Sequence, residues 1–216
     1  MFITFEGMDG SGKTTQVEQL CSRLLNDGID HIRTREPGGT PVGDAIRSLL
    51  LDPKSTMTPI TEVYLYAAAR AEHVQRVIIP ALQSGQVVVC DRFVDASIVY
   101  QGYGLASSLV TPELVQTVNQ VALQEITPDL TIVLDVAPEL AEKRLLLRSG
   151  AVNKDRIELR GIEFFSRVRE GLRKIYEQEP SRIQWIDATE SPVVVEQKVW
   201  HLVSQLINRV EGSPCN

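Results

Sequence analysis

Residues Gly7 to Thr14 read G-M-D-G-S-G-K-T, directly after the apolar run Phe2-Ile3-Thr4-Phe5 and ahead of a helical pattern. In that strand-to-helix setting the segment reads as a phosphate-binding loop. Gly7 and Gly12 allow the tight turn that aims successive N–H groups at a phosphate chain, and the positive end of the following helix adds to that field. Lys13, expected to stand exposed on the loop, can reach the β- and γ-phosphates of a nucleotide, and Thr14 can offer its hydroxyl to Mg²⁺. A second constellation, Asp91-Arg92-Phe93, follows the apolar run Val87 to Cys90. Alone it reads as a surface ion pair. At the carboxyl edge of a parallel strand, beside a phosphate loop, Asp91 can hold Mg²⁺ through water and Arg92 can fork onto a phosphate.

Such groups need a rigid frame. Five strand-like runs, Phe2 to Phe5, Asp30 to Thr34, Val87 to Cys90, Leu130 to Val136 and Ile183 to Ile186, are separated by helical patterns. Alternation of this kind implies a parallel sheet covered by helices on both faces. The helices are expected at about Lys13 to Asn26, Val42 to Leu51, Thr61 to Ser84, Thr111 to Gln124, Pro138 to Leu147, Ile162 to Glu177 and Pro192 to Arg209. Within them, Ile60, Val63, Tyr64, Ala67, Ala71, Val74 and Ile78 form an apolar stripe for the core, an interface or both. Arg148 to Gly161, small, polar and charged, reads as a mobile loop. The expected organisation is one domain over 1–210, a lid at about 148–161 and a frayed tail at 211–216.

With 216 residues, 43% of them hydrophobic, the chain can bury one large core. Its formal net charge of −6 offers no broad basic surface, so a nucleic-acid partner is not expected and a mononucleotide is the better substrate. The three cysteines Cys21, Cys90 and Cys215 lack metal-type spacing and suit reduced thiols in a cytoplasm, with Cys90 a small buried hydrophobe. No run is long enough to span a membrane, and the amino terminus reads as a core strand rather than a signal peptide. His31, His73 and His201 show no spacing for metal or general-base work and read as surface or helix residues.

The ordered set F-E-G-M-D-G-S-G-K-T-T at Phe5 to Thr15, R-E-P-G-G-T at Arg35 to Thr40, Y-A-A-A-R at Tyr66 to Arg70, D-R-F at Asp91 to Phe93, Y-Q-G at Tyr100 to Gly102 and D-R-I-E at Asp155 to Glu158 resembles the bacterial thymidylate kinases over nearly the whole length. The resemblance implies an α/β nucleoside monophosphate kinase fold of the P-loop type, a five-stranded parallel sheet flanked by helices with a small lid. It implies transfer of the γ-phosphoryl of ATP to dTMP, a Mg²⁺ requirement met at Thr14 and Asp91, and a homodimer. ATP would lie on Gly7, Met8, Asp9, Gly10, Ser11, Gly12, Lys13, Thr14 and Thr15, with Arg144 flanking adenine. Asp9 and Arg92 would approach the dTMP phosphate, Glu36 and Pro37 would shape the acceptor pocket, and Tyr66 would stack on thymine. Arg70 would donate to the 4-carbonyl, Ser97 and Gln101 would make further base contacts, and Tyr100 would crowd the sugar against a 2′-hydroxyl. Ala96 departs from the family's commoner serine.

Catalysis would rest on Asp9, Lys13, Arg92 and a lid cation. Some members carry a basic residue at the loop position held here by Gly10. With glycine there, the charge is expected from Arg148, Lys154 or Arg156. Three rivals remain. A regulatory GTPase needs an N-K-x-D motif, and Asn153-Lys154-Asp155 is one residue short of it. A UMP or CMP kinase and a nucleotide-binding regulator without turnover are separated by assay.

Overall fold

Five strands form one parallel sheet in the order β2-β3-β1-β4-β5. They are β1 (Phe2–Glu6), β2 (His31–Arg35), β3 (Val87–Asp91), β4 (Leu130–Asp135) and β5 (Ile183–Asp187). The computed structural model describes residues 1–149 and 154–211, apart from the side chains of 148, 149, 210 and 211. Strand β1 is central and buried throughout, as the interior of a sheet covered on both faces requires. Alternation across it splits the core. Phe2, Val88 and Cys90 pack with Val74, Ile78 and Phe93 on one face, while Ile3, Phe5, Val87 and Val89 join the larger cluster on the other.

The helices are α1 (Lys13–Asn26), α2 (Pro41–Leu51), α3 (Pro59–His73), α4 (Ile79–Gln83), α5 (Val94–Ser97), α6 (Pro112–Leu123), α7 (Pro138–Ser149), α8 (Gly161–Gln178) and α9 (Pro192–Glu211). Threonine caps followed by proline start three of them. Thr40, Thr58 and Thr111 accept from the backbone N–H three residues on, ahead of Pro41, Pro59 and Pro112.

The single helix expected from Thr61 to Ser84 is instead α3, a π-helical stretch Val74–Ile78 and α4. The widened turn precedes Pro80, which brings no N–H and whose ring crowds the carbonyl four residues back. A short helix α5 and a second π-helical stretch, Ile98–Gly104, escaped the sequence reading, because residues 94–104 are buried almost without periodicity. The expected apolar stripe divides: Val63, Ala67, Val74 and Ile78 are core, whereas Tyr64 is 59% exposed.

The segment read as a mobile loop also differs. Helix α7 continues through Ser149, and residues 154–161 dock on α2 and α3: Arg156 N–H donates to Leu51 O, and Ile157 is buried. Residues 150–153 lie outside the described part of the chain. Helix α9 includes Glu211, where the tail was expected to begin, and the remainder, 212–216, is outside the description.

Candidate active site

The phosphate loop stands at the carboxyl end of β1, and the pairing Phe5↔Asp91 brings D-R-F beside it. Gly10 has φ +85°, and a Cβ there would lie 2.3 Å from Ala141 O, so the loop rests directly on the backbone of α7. Helix α1 starts at Gly12 without a capping side chain or an acidic residue in its first turn. Its first amides are left for an anion. Met8 and Ser11 are buried, Met8 within the main core, so these loop positions can serve a phosphate through their backbone.

Lys13 is not exposed as expected; it is 5% exposed. Its Nζ donates to Gly7 O at 2.9 Å and Met8 O at 3.0 Å, with Asp9 Oδ1 at 3.7 Å. Burial and then the like charge of Arg92 lower its pKa, against Asp9, Asp91 and Glu6. An ammonium held on neutral carbonyls is ready to exchange them for phosphate oxygens, which bind it more strongly.

Arg92 adopts a left-handed backbone, φ +71°, uncommon without glycine. The turn is held on three sides: Arg92 N–H donates to Phe5 O, Cys90 Sγ donates to Arg92 O, and Phe93 N–H donates to Glu6 Oε1 at 2.9 Å. The side chain is thereby placed with Nη2 donating to Asp9 Oδ1 at 2.9 Å and its guanidinium 4.7 Å from the Tyr100 ring centre. Asp91 Oδ1 and Tyr100 Oη are buried here without hydrogen-bond partners among the described residues.

Glu6, the last residue of β1, lies beneath the turn. It is fully buried, and burial pushes its pKa from 4.5 up to about 8, with Arg92 acting in the opposite direction. Between those values the unfolded chain has released a proton that the folded chain still binds, so this group lowers stability as pH rises from about 5 to about 8. Glu6→Gln should therefore gain stability relative to the unsubstituted chain across that window. Urea melts at pH 5 and pH 8 would refute this if the difference between the two proteins stayed constant.

A cavity of ≈ 420 Å³ joins the loop to the acceptor side. Asp9, Gly10, Gly12, Lys13, Thr14 and Thr15 line one end; Glu36, Pro37, Tyr66, Arg70, Ser97, Tyr100 and Gln101 line the other, with Asp91 and Arg92 between. Burial pushes the Tyr66 phenol up to about 12, so the ring faces the cavity neutral. Arg70 is 1% exposed and more engaged than a ligand contact alone would need: Nε donates to Glu36 at 2.8 Å, Nη1 to Asn119, and Nη2 to Phe93 O and Ser97 Oγ at 3.0 Å each.

His73, expected as a surface or helix residue, is on a helix but not at the surface. It ends α3, fully buried, with Nδ1 3.0 Å from Glu36 Oε1 and Nε2 2.6 Å from Thr34 Oγ1. His73 thus holds Glu36, and Glu36 holds Arg70. Its partners lie 37 and 39 residues away in the chain, beyond any local spacing rule.

Arg35 and Arg47 also line the cavity and were not assigned. Arg47 Nη1 donates to Pro37 O at 3.0 Å, and burial followed by the like charge of Arg35 lowers its pKa. Crowded cations of this kind favour an anion between them. Arg35 ends β2 as Arg92 follows β3, so the strand-end rule that singled out Arg92 could have found it.

Arg144, expected to flank adenine, lines the cavity and donates to Ala188 O at 3.0 Å. The side chain of Arg148 is outside the described part. Lys154 pairs with Glu142 at 2.9 Å. Arg156, expected at the transferring phosphoryl, is not among the cavity's lining residues. Its Nε donates to Leu50 O at 2.6 Å and its Nη1 to Glu62 at 2.8 Å, because a buried carboxylate on α3 outcompetes the open site.

The sequence matches the family model described as thymidylate kinase over residues 5–199. It is 49% identical to the thymidylate kinase of Exiguobacterium sibiricum over 88% of this chain and 87% of that protein. It is 46% identical to that of Symbiobacterium thermophilum over 97% and 95%. The fold superposes on the crystal structure of thymidylate kinase from Ehrlichia chaffeensis with a TM-score of 0.75 and 32% identity, covering 94% of this chain and 98% of the other. With a phosphate loop, a D-R-F turn and a full-length match in agreement, the chain belongs to the thymidylate kinase family.

Proposed function

We propose that the ≈ 420 Å³ cavity holds both substrates of a thymidylate kinase, ATP on the phosphate loop and dTMP against Tyr66, Arg70 and Gln101. The activity is phosphorylation of dTMP by ATP to give dTDP and ADP. The observation that carries the placement is that Lys13 and Asp9, at the loop end of one cavity, meet Arg92, which stands between that end and the one suited to a pyrimidine.

The dTMP phosphate is already an anionic nucleophile, so the difficulty is bringing two negative groups into line rather than removing a proton. Lys13 leaves the loop carbonyls for the β- and γ-phosphates. Arg92, with Arg35 and Arg47, neutralises the acceptor phosphate. Asp9 orients Arg92, and Tyr100 walls the sugar side. Arg144, anchored to Ala188 O, flanks the adenine.

Thr14 and Asp91 fit a Mg²⁺ site. Asp91 Oδ1 is buried without a partner, and no cluster of three or more His, Cys, Asp or Glu residues stands among the described residues. Sparse protein oxygens completed by water and phosphate suit this ion. When bound it would neutralise charge on the phosphates. A lid over 148–161 would shed water from the closed site, with Arg148 its remaining candidate for direct contact with the phosphoryl group.

We also read the protein as a cytoplasmic homodimer. The described cysteines are free, no described helix is long and apolar enough to cross a membrane, and Tyr64 and Val121 leave apolar surface on α3 and α6, which pack together. Sedimentation at the mass of one 24.0 kDa chain would remove the dimer.

A coupled assay of ADP formation with ATP, Mg²⁺ and a panel of dTMP, dUMP, dCMP, UMP and CMP tests the placement of the base. The thymine methyl should favour dTMP over dUMP by only about 1–3 kcal/mol, whereas dCMP, which reverses the hydrogen-bonding groups at two ring positions, should lose about 10⁴-fold in kcat/KM. Equal kcat/KM for dTMP and dCMP would reject the assigned pocket.

A further inference from the structure

Helix α3 carries Glu62, Tyr66 and Arg70 one turn apart on one face. Glu62 is 1% exposed and gathers partners from three directions. Its Oε2 accepts from Arg156 Nη1 at 2.8 Å and from Arg160 Nη2, and its Oε1 accepts from Gln101 Nε2 at 2.9 Å. Burial alone would raise the pKa of this carboxyl. The charge and hydrogen bond of Arg160, the amide of Gln101 and the charge of Arg156 outweigh burial and hold it below its ordinary value. Glu62 is therefore a carboxylate, which can accept hydrogen bonds and cannot donate them.

That restriction settles which way the Gln101 amide is turned. An amide can show either its NH₂ or its carbonyl to a neighbour, and a carboxylate admits only the NH₂. The carbonyl oxygen is left on the other side. Gln101 lines the cavity, and its Oε1 is buried with no hydrogen-bond partner among the described residues. An acceptor in that condition needs a donor from outside the protein.

Next to the 4-carbonyl, thymine and uracil carry an N3–H donor, while cytosine carries a bare N3 acceptor beside its amino group. We infer that Glu62 is a positioning residue for base selection, fixing the Gln101 amide so that its carbonyl accepts the thymine N3–H and opposes the cytosine N3. The inference rests on the base lying against Gln101, as proposed above. Glu62 never touches the nucleotide in this account. Its two arginines come from the segment at 154–160, so the docking of that segment and the reading of the base share one carboxylate.

The test compares kcat/KM for dTMP and dCMP in the unsubstituted protein, Glu62→Gln, Gln101→Ala and the double variant. A neutral amide at position 62 donates as well as accepts and frees Gln101 to turn. Glu62→Gln should then cut the dTMP-to-dCMP ratio by about tenfold or more. In the Gln101→Ala background the same substitution should leave the ratio where Gln101→Ala put it. A Glu62 that only anchors the 154–160 segment would lower both activities together and leave the ratio unchanged. That outcome, with Gln101→Ala still shifting the ratio, overturns the inference alone. A ratio untouched by Gln101→Ala overturns the base placement beneath it.

Glu62→Gln strands two partly buried arginines and can unfold the chain, so the unsubstituted protein supplies a second measurement. With ¹⁵N-glutamine labelling, the Gln101 side-chain NH₂ signal, identified by its loss in Gln101→Ala, should exchange slowly with water and keep its position when dTMP is added. A large shift and faster exchange on adding dTMP would mean that the NH₂ turns to the nucleotide, and would refute the assignment.

Discussion

Lys13→Ala should lower kcat by about 10³, the scale of removing a preorganised charge from a phosphoryl-transfer transition state, while leaving the circular dichroism spectrum unchanged. The fold should tolerate the change because Lys13 contributes little to it. Burial disfavours its charge, and its two hydrogen bonds go to carbonyls of the loop itself, Gly7 O and Met8 O. Its one carboxylate neighbour, Asp9 at 3.7 Å, is a third exposed and keeps its hydrogen bond from Arg92, so the substitution strands no buried charge. The loss should fall on kcat more than on the KM for dTMP, since Lys13 serves the donor phosphates. Near-normal turnover in a folded variant would remove the central role assigned to this residue.

Arg70→Ala should be the most damaging substitution to the fold among the site residues. Its guanidinium is tied to Glu36, Asn119, Phe93 O and Ser97 at 1% exposure. Truncation leaves the Glu36 carboxylate buried beside His73 without its counter-charge, and breaking a buried pair in this way costs about 3–5 kcal/mol. For a chain of this size that corresponds to a Tm lowered by roughly 6–20 °C. Differential scanning calorimetry with and without dTMP reads both halves of the expectation: the lower Tm, and the loss of stabilisation by dTMP. A Tm within 2 °C of the unsubstituted protein would contradict the structural share of this role, since about 2–4 °C is the effect of a single kcal/mol. The proposed base reading and the observed scaffolding fall on one side chain, and activity data alone would confound them.

The sheet was legible because parallel central strands are short apolar runs separated by helical patterns, both local signals. The phosphate loop and Asp91-Arg92 were legible as contiguous motifs at strand ends. The remainder depends on distant partners. Nothing around His73 announces Glu36 and Thr34, and nothing around Glu62 announces Arg156 and Arg160, nearly a hundred residues away. Lys13 was expected in solvent because the motif conveys its chemistry but not the folding of its ammonium back onto Gly7 and Met8. Arg156 was placed at the phosphates for its charge, and its location follows instead from the deeper carboxylate of Glu62. The π-helical stretch at Val74–Ile78 is announced only by Pro80, and the one at Ile98–Gly104, buried almost without periodicity, by nothing local.

The contact between Gly10 and the Ala141 carbonyl constrains how this enzyme can change. A side chain of any size at position 10 would meet the α7 backbone 2.3 Å from its Cβ, at a φ of +85° that non-glycine residues already resist. A basic residue grafted into the loop would therefore fail before its charge could act, unless α7 moved first. Moving α7 shifts Arg144 and the start of the lid with it. A basic residue at position 10 would thus be tolerated only together with a shift of α7. The packing of α7 therefore requires glycine at this position.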